Sequence, residues 1–185
     1  MKILAIRHAE SEGNVNPEIY NQKPDWDIGL TALGEDQATG IGPAFDKFTD
    51  SYNIFISPYQ RVKETYRIAK SYSKKMKYNA VENPLLVERR WGDLRTYIQN
   101  KRNKDDDFAF FNRPPNGESF FDLYQRVQLF LSYLRTLKLE YVTLFTHGEW
   151  MKVLKMIETN MSVEDFQHYA KETHIPNCAI RPFYF

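Results

Sequence analysis

Three apolar runs in this chain stop at residues that could hold or attack an anion. ILAI at positions 3 to 6 is followed at once by Arg7 and His8, and YVTLF at 141 to 145 by Thr146, His147 and Gly148. NIFIS at 53 to 57 leads through Pro58, Tyr59 and Gln60 to Arg61. Two guanidinium groups and two imidazoles suit a phosphate: the planar guanidinium fork matches its oxygens bidentately, and an imidazole can donate to it or attack its phosphorus. Zinc is the competing use of histidine. The four histidines, His8, His147, His168 and His174, form no close ligand pair on one helix face, and the chain has no cysteine cluster. No serine sits in a GxSxG pattern for a histidine to activate. That leaves histidine itself as the nucleophile, in chemistry for which no metal is expected.

For these residues to meet, their strands must end together. Ligands of open α/β sheets bind beyond the carboxyl ends of the strands, where the loops leave the sheet. The three apolar runs, with CAIRPFYF at 178 to 185, read as strands. Helical periods lie between them. Phe120, Leu123, Val127, Phe130 and Leu134 recur three and four apart behind Ser119, where Asp122 completes a cap pattern, and Ser162 with Asp165 repeats that pattern before Phe166 and Tyr169. Thr31 is the expected cap of a helix over 32–47, and Val62, Tyr66 and Ala69 mark another after Pro58. Strands alternating with helices predict an α/β fold, a three-layer sandwich with a mostly parallel central sheet and helices on both faces. Asp122 and Arg126, four apart, are expected to pair on their helix. Gly117, Glu118 and Ser119 are expected to form a loop-to-helix junction, and Asn177 and Cys178 to begin the last strand.

At 185 residues the chain is expected to be one domain over 1–185. The stretch 95–116, RTYIQNKRNKDDDFAFFNRPPN, reads as a surface insertion, with Phe108, Phe110 and Phe111 as candidates to line an apolar entrance. Lys plus Arg number 25 against 24 Asp plus Glu, a net charge of +1. This balance excludes a general attraction to nucleic acid or to a membrane surface, so any anion site must be local. Cys178 is the single cysteine, which rules out an intrachain disulfide and suits a reducing compartment. There is no long apolar segment near the start and no run of membrane-spanning length; a soluble, cytoplasmic protein is expected.

The motifs also form a recognisable set. RHAESEGN at 7–14 resembles the RHGE-S-x-x-N signature of the histidine phosphatase superfamily, which includes phosphoglycerate mutases, with Ala9 where that signature has glycine. LTALGEDQA at 30–38 is similar to the family's LTxxGxxQA, SPYQRVKET at 57–65 to its SxxxRxxxT, and LLVERRWGDL at 85–94 to its xERxxGxL. NGESFFDLYQRV at 116–127, THG at 146–148 and NCAI at 177–180 follow in family order. The resemblance implies that His8 takes the phosphoryl group. It implies that Arg7, Arg61 and His147 hold the phosphate oxygens, with Asn14 reaching the same pocket and Ser11 and Gly148 as further contacts. Glu88, matching the glutamate of ERxxG, would be the general acid and then the base, its pKa raised by the enclosed site and opposed by Arg89 and Arg90. Glu10, Glu12 and Glu149 are alternative acids by their nearness in sequence.

Hydrolysis and mutase transfer share the phosphohistidine. In the family pattern, the classical mutases have a longer middle insertion with an adjacent arginine pair and a carboxyl-terminal tail. Here the middle segment is short and Arg102 and Arg113 stand apart. Lys101 and Lys104 precede Asp105, Asp106 and Asp107, and the chain ends at Phe185 in strand-like sequence. The expectation is a phosphomonoesterase similar to the small broad-range acid phosphatases, acting on a small-molecule phosphate monoester with no cofactor. A cofactor-dependent phosphoglycerate mutase and a noncatalytic phospholigand-binding module are the alternatives; simple binding would need neither His8 nor Glu88.

Overall fold

Along the first strand, Ile3 and Ala5 face one apolar cluster and Leu4 and Ile6 another. The two-residue period of a strand thus divides the core between the two faces of a sheet. The computed structural model describes residues 1–48, 53–92 and 109–185. Its strands are β1 (Lys2–Arg7), β2 (Ile54–Ile56), β3 (Val81–Glu82), β4 (Tyr141–Thr146) and β5 (Ile180–Tyr184). They form one sheet in the order β3-β2-β4-β1-β5, parallel except for the antiparallel edge strand β5.

The helices are α1 (Glu12–Val15), α2 (Ala32–Phe48), α3 (Gln60–Tyr72), α4 (Phe120–Thr136), α5 (Gly148–Thr159) and α6 (Val163–Glu172). Ile41 and Phe45 of α2, with Val62, Tyr66 and Ala69 of α3, pack under Leu4, Ile6, Ile54 and Ile56. The other face is covered by α4, α5 and α6 through residues such as Phe130, Trp150 and Phe166. This is the three-layer α/β sandwich that the sequence pattern predicts.

The expected caps form. Thr31 Oγ1 accepts the Gly34 N–H at 3.0 Å, and Ser162 Oγ accepts that of Asp165 at 3.1 Å. Ser119 Oγ accepts the Asp122 N–H at 3.1 Å while the Asp122 carboxylate accepts that of Ser119 at 2.8 Å, a reciprocal cap that starts α4. This cap also overturns the expected Asp122–Arg126 pair. Asp122 is held at the start of its helix and its carboxylate meets Arg113, whereas Arg126 pairs with Glu118 at 2.8 Å. The last strand begins at Ile180, two residues later than expected, because Cys178 has a left-handed backbone (φ 59°) that no strand can continue. Burial pushes the half-buried Cys178 thiol up to about 11.

Of the 95–116 stretch, residues 95–108 lie outside the described residues, including Lys101, Arg102, Lys104, Asp105 to Asp107 and Phe108. Phe110 is buried against Phe166 in the main core, 5.6 Å between ring centroids, so it is not free to line an entrance. Phe111 is exposed and stacks on Phe110 and Phe121. Among the described residues no helix is long and apolar enough to cross a membrane.

The stretch 30–37 grips the loop that leaves β1. Thr31 N–H and Gln37 Oε1 bond the carbonyl and amide of Glu10, at 3.1 and 3.0 Å, and Thr31 Oγ1 donates to the Glu10 carboxylate at 2.7 Å. Gly34 completes the grip by its lack of a side chain, since a Cβ there would come 1.9 Å from the Glu10 carbonyl oxygen. Gly34→Ala must therefore push this loop away from α2. The expected cost is about 1–3 kcal/mol in urea unfolding, whereas Gly40→Ala, where a Cβ meets nothing within 4 Å, should not destabilise.

Candidate active site

Register decides what meets at the carboxyl edge. β1 pairs with β4 so that Arg7 lies opposite Thr146, and β2 lies on the far side of β4. His8 and His147 leave the sheet as neighbours, with ring centroids 5.2 Å apart at 64°. The backbone after β1 is pinned on two sides: His8 N–H donates to Thr146 O at 3.0 Å, and His8 O accepts from Asn177 Nδ2 at 3.1 Å and from Cys178 N–H at 3.3 Å.

The proton positions on the two rings follow from their partners. His8 Nδ1 lies 2.7 Å from Ala9 O, and a carbonyl can only accept, so the ring proton is on Nδ1 and the lone pair on Nε2. His147 Nε2 lies 2.9 Å from Ser57 Oγ, whose oxygen already accepts the Tyr59 N–H at 3.4 Å. With the serine as donor to Nε2, the ring proton of His147 is on Nδ1. That Nδ1 is buried and has no partner among the described residues. Burial, then the charges of Arg61 and Arg7, hold His8 well below the usual imidazole range, and burial with Arg61 does the same to His147. Both rings are neutral near pH 7.

The guanidinium groups are held from behind. Arg7 Nη1 donates to Ile175 O, while its Nε is buried and has no partner among the described residues. Gly148, the first residue of α5, lies beside this group: a Cβ there would stand 3.4 Å from Arg7 Nε, an ordinary contact. Arg61 Nη1 donates to both the carbonyl and the carboxylate of Asp25 at 2.8 Å, and its guanidinium lies 4.9 Å from the centre of the Tyr59 ring. Asn14 Oδ1 accepts from Ser11 N–H and Ser11 Oγ, at 3.1 and 3.2 Å, and from Asn177 Nδ2 at 3.1 Å. Its oxygen is committed and its NH2 is left to donate; buried Ser11 serves as its anchor.

Glu88 sits at the start of α5, where its carboxylate accepts the N–H groups of Glu149 and Trp150 at 3.2 Å each. Burial raises its pKa, the nearby Glu149 charge raises it further, and the N–H bonds and Arg61 pull only partly the other way. The side-chain charges of Arg89 and Arg90 are spent elsewhere. Arg89 forms a fork with Glu149, at 2.7 and 3.3 Å, and Arg90 reaches Glu118. The expectation that these two charges oppose the shift is corrected: Arg89 acts through its backbone N–H, which donates to Glu88 at 3.1 Å. Of the other candidate acids, Glu10 is held by Thr31, Glu12 is paired with Lys23 at 2.8 Å, and Glu149 is paired with Arg89.

A pocket with two guanidiniums, an unpartnered buried N–H and a neutral imidazole lone pair has the chemistry to bind and take a phosphoryl group. The family model of the histidine phosphatase superfamily (branch 1) matches residues 3–183. The chain belongs to this superfamily. It is 29% identical to phosphoglycerate mutase-like protein AT74 of Arabidopsis thaliana over 90% of this chain and 60% of that protein. It is 30% identical to a 2,3-bisphosphoglycerate-dependent phosphoglycerate mutase of Parvibaculum lavamentivorans, over 88% of this chain and 81% of the relative. The chain spans between about half and six-tenths of the length of the Arabidopsis relatives it matches. Its fold is similar to that of a mycobacterial glucosyl-3-phosphoglycerate phosphatase, with a TM-score of 0.79 at 18% identity, covering 98% of this chain and 88% of that one.

Several supporting residues of this superfamily member are not apparent from the sequence pattern. Ser57 and Asn177 lie inside motifs that were quoted for their arginine and their strand, so the signal was present. Asp25 belongs to no motif, and nothing in the sequence marks it. Glu118 was read as part of a junction, but it is a buried hub: its carboxylate accepts from Arg126 Nε and Nη2, at 3.0 and 2.8 Å, and from Arg90 N–H at 3.0 Å. Arg126 in turn donates to the carbonyls of Leu85, Val87 and Glu88. Glu118→Ala strands the Arg126 charge and loosens the segment carrying Glu88. It should lower unfolding stability by about 3 kcal/mol and reduce activity, with Glu118→Gln intermediate in both, as denaturant titration and kinetics will measure.

Proposed function

We propose that the chain is a phosphomonoesterase of the acid phosphatase type that works through a covalent phosphohistidine, without a metal. The observation that carries this reading is the Nδ1–H donation of His8 to Ala9 O, which presents the Nε2 lone pair to a pocket where Glu88 holds its proton more firmly than an ordinary carboxyl. In the first half-reaction a bond forms between His8 Nε2 and phosphorus as the ester P–O bond breaks. Glu88 gives its proton to the departing oxygen and the alcohol leaves. In the second, Glu88 takes a proton from water as the water oxygen attacks phosphorus. The Nε2–P bond then breaks, releasing phosphate and neutral His8. Arg7, Arg61, the His147 Nδ1–H and the Asn14 NH2 neutralise the phosphoryl oxygens throughout.

A mutase must hold a second anionic group beside the transferred phosphate. Among the described residues, the cations that line the adjoining cleft carry carboxylate partners: Lys23 with Glu12 and Arg90 with Glu118. This favours hydrolysis over transfer, although the relatives bear mutase or mutase-like names. A noncatalytic phospholigand-binding module would have no use for the orientation of His8 or the raised Glu88.

The test is hydrolysis of a chromogenic phosphate monoester with chelator present. Wild type should turn over and His8→Ala should lose about a thousandfold or more, with an acid-labile phosphoryl group trapped on wild type alone. Loss of turnover in chelator, or equal rates in the two proteins, overturns the mechanism; isomerisation of 3-phosphoglycerate with bisphosphate primer outpacing hydrolysis would establish the mutase instead.

The pH dependence follows from two shifts of opposite sign. His8 is lowered well below 6.5, so its nucleophilic form persists into acid. Glu88 is raised above 4.5, so its donating form persists toward neutrality. The kcat/KM profile should therefore peak on the acid side of neutrality. Glu149→Gln removes a charge that raises Glu88 and should move the alkaline limb to lower pH; Glu88→Gln should lower kcat by roughly 10²–10⁴ and abolish that limb.

A further inference from the structure

A cleft of about 350 Å³ adjoins the phosphate pocket. Among the described residues its walls include four aromatic side chains, Tyr20, Trp26, Tyr59 and Trp91, with Lys23 and Arg90 at its rim. Two residues of the cleft touch residues of the site. Asp25, which lines it, holds Arg61, and the Tyr59 ring meets the edge of His147 at 5.3 Å between centroids. A monoester whose phosphoryl group is seated at His8 has this cleft as the adjoining space for its alcohol.

Two features define what the cleft accepts. Its charges are already balanced: Lys23 is bonded to Glu12 at 2.8 Å, Arg90 to Glu118 at 3.4 Å and Asp25 to Arg61 at 2.8 Å. A second anionic group on the substrate would have to break one of these pairs and approach the carboxylates that form them. Among the aromatic walls, Tyr59 is buried against Arg61 and His147 and the Trp91 ring carries Arg89 at 3.9 Å, whereas Trp26 is open. Trp26 sits in a short turn, Asp25–Asp27, with 63% of its surface exposed, so its ring contributes little to the core. An exposed tryptophan on the wall of an otherwise aromatic cleft offers a flat, apolar face for stacking.

We infer that this cleft is a leaving-group subsite for alcohols bearing an uncharged aromatic ring, with Trp26 as its main stacking surface. The inference rests on the phosphatase reading above and adds the substrate class. It differs from the entrance expected of Phe108, Phe110 and Phe111: Phe110 is in the core, Phe108 lies outside the described residues, and neither Phe110 nor Phe111 lines this cleft.

The experiment compares 2-phenylethyl phosphate with ethyl phosphate, two alkyl esters with similarly basic leaving groups, and with 3-phosphoglycerate. Wild type should show kcat/KM at least tenfold higher on the phenylethyl ester than on either of the others. Trp26→Ala should reduce that advantage about tenfold, and Trp26→Phe should keep most of it. Preference for ethyl phosphate or 3-phosphoglycerate, or an advantage unchanged within twofold in Trp26→Ala, overturns the subsite while leaving the phosphatase reading intact. Calorimetry on His8→Ala separates the two further. Binding of 2-phenylethyl phosphate at least tenfold tighter than inorganic phosphate supports the subsite whether or not any ester is turned over, and equal affinities overturn it. Failure of wild type to hydrolyse any of the three esters counts against the phosphatase reading.

Discussion

The parallel pairing of β1 with β4 in one register is the constraint on which the rest depends. Arg7 opposite Thr146 means that the next residues, two histidines, emerge side by side from the same edge. Two imidazoles and two guanidiniums buried so close together cannot all be charged at tolerable cost. The arginines keep their charge and the histidines give theirs up. The neutral state that a nucleophilic imidazole needs is thus a consequence of strand register. A slip of one residue would turn His8 toward the opposite face of the sheet and leave Arg7 in its place.

Around this edge, most of the acids near the site hold a cation or a backbone group in position. Asp25 turns Arg61, Glu118 holds Arg126 under the Glu88 segment, and Glu10 ties the first loop to α2. Among the described residues Glu88 meets backbone N–H groups and no cation at ion-pair distance, and Arg89 explains why. Its side chain, 1% exposed, is lodged between the Trp91 ring at 3.9 Å and the Phe120 ring at 4.1 Å, where its fork meets Glu149. That buried cation is therefore committed to the neighbouring carboxylate. Two glutamates share the start of α5, but only one has a guanidinium partner, so the other keeps the raised pKa.

Much of this was legible in the sequence because it rests on local pattern. The three-and-four spacing of Phe120, Leu123 and Val127, the Ser119 and Ser162 caps, and the apolar runs of β1, β2 and β4 each carry their own signal within a few residues. The rule that ligands gather at the carboxyl ends of parallel strands brought Arg7, His8, Arg61 and His147 to one edge without coordinates. The errors arose where a side chain had more than one possible partner. Asp122 and Arg126 are well spaced to pair, yet tertiary partners claim both. Arg89 and Arg90 follow Glu88 directly, but side chains of consecutive residues diverge. Strand β3, two residues long, and helix α5, which begins inside the THG motif, were obscured for different reasons. The first is too short to show a period, and the second starts on residues already read as chemistry.

The nearly neutral net charge of the chain looks unfavourable for an anion site until the unpaired donors are considered. Arg7 Nε and His147 Nδ1 are both buried and both lack an acceptor among the described residues. A buried donor left without a partner costs about 1–3 kcal/mol, and it persists only where the surrounding structure holds it. Here Ile175 O fixes the guanidinium and Ser57 fixes the ring, so neither can turn to find an acceptor of its own. An entering oxyanion recovers that cost without requiring the donors to move. On the proposed function the attraction would come from a few preorganised hydrogen bonds in a buried pocket, where each counts for more than it would in water. On the same reading such a pocket would select for the phosphoryl group at short range, and the charge-balanced cleft beside it would sort what that group is attached to.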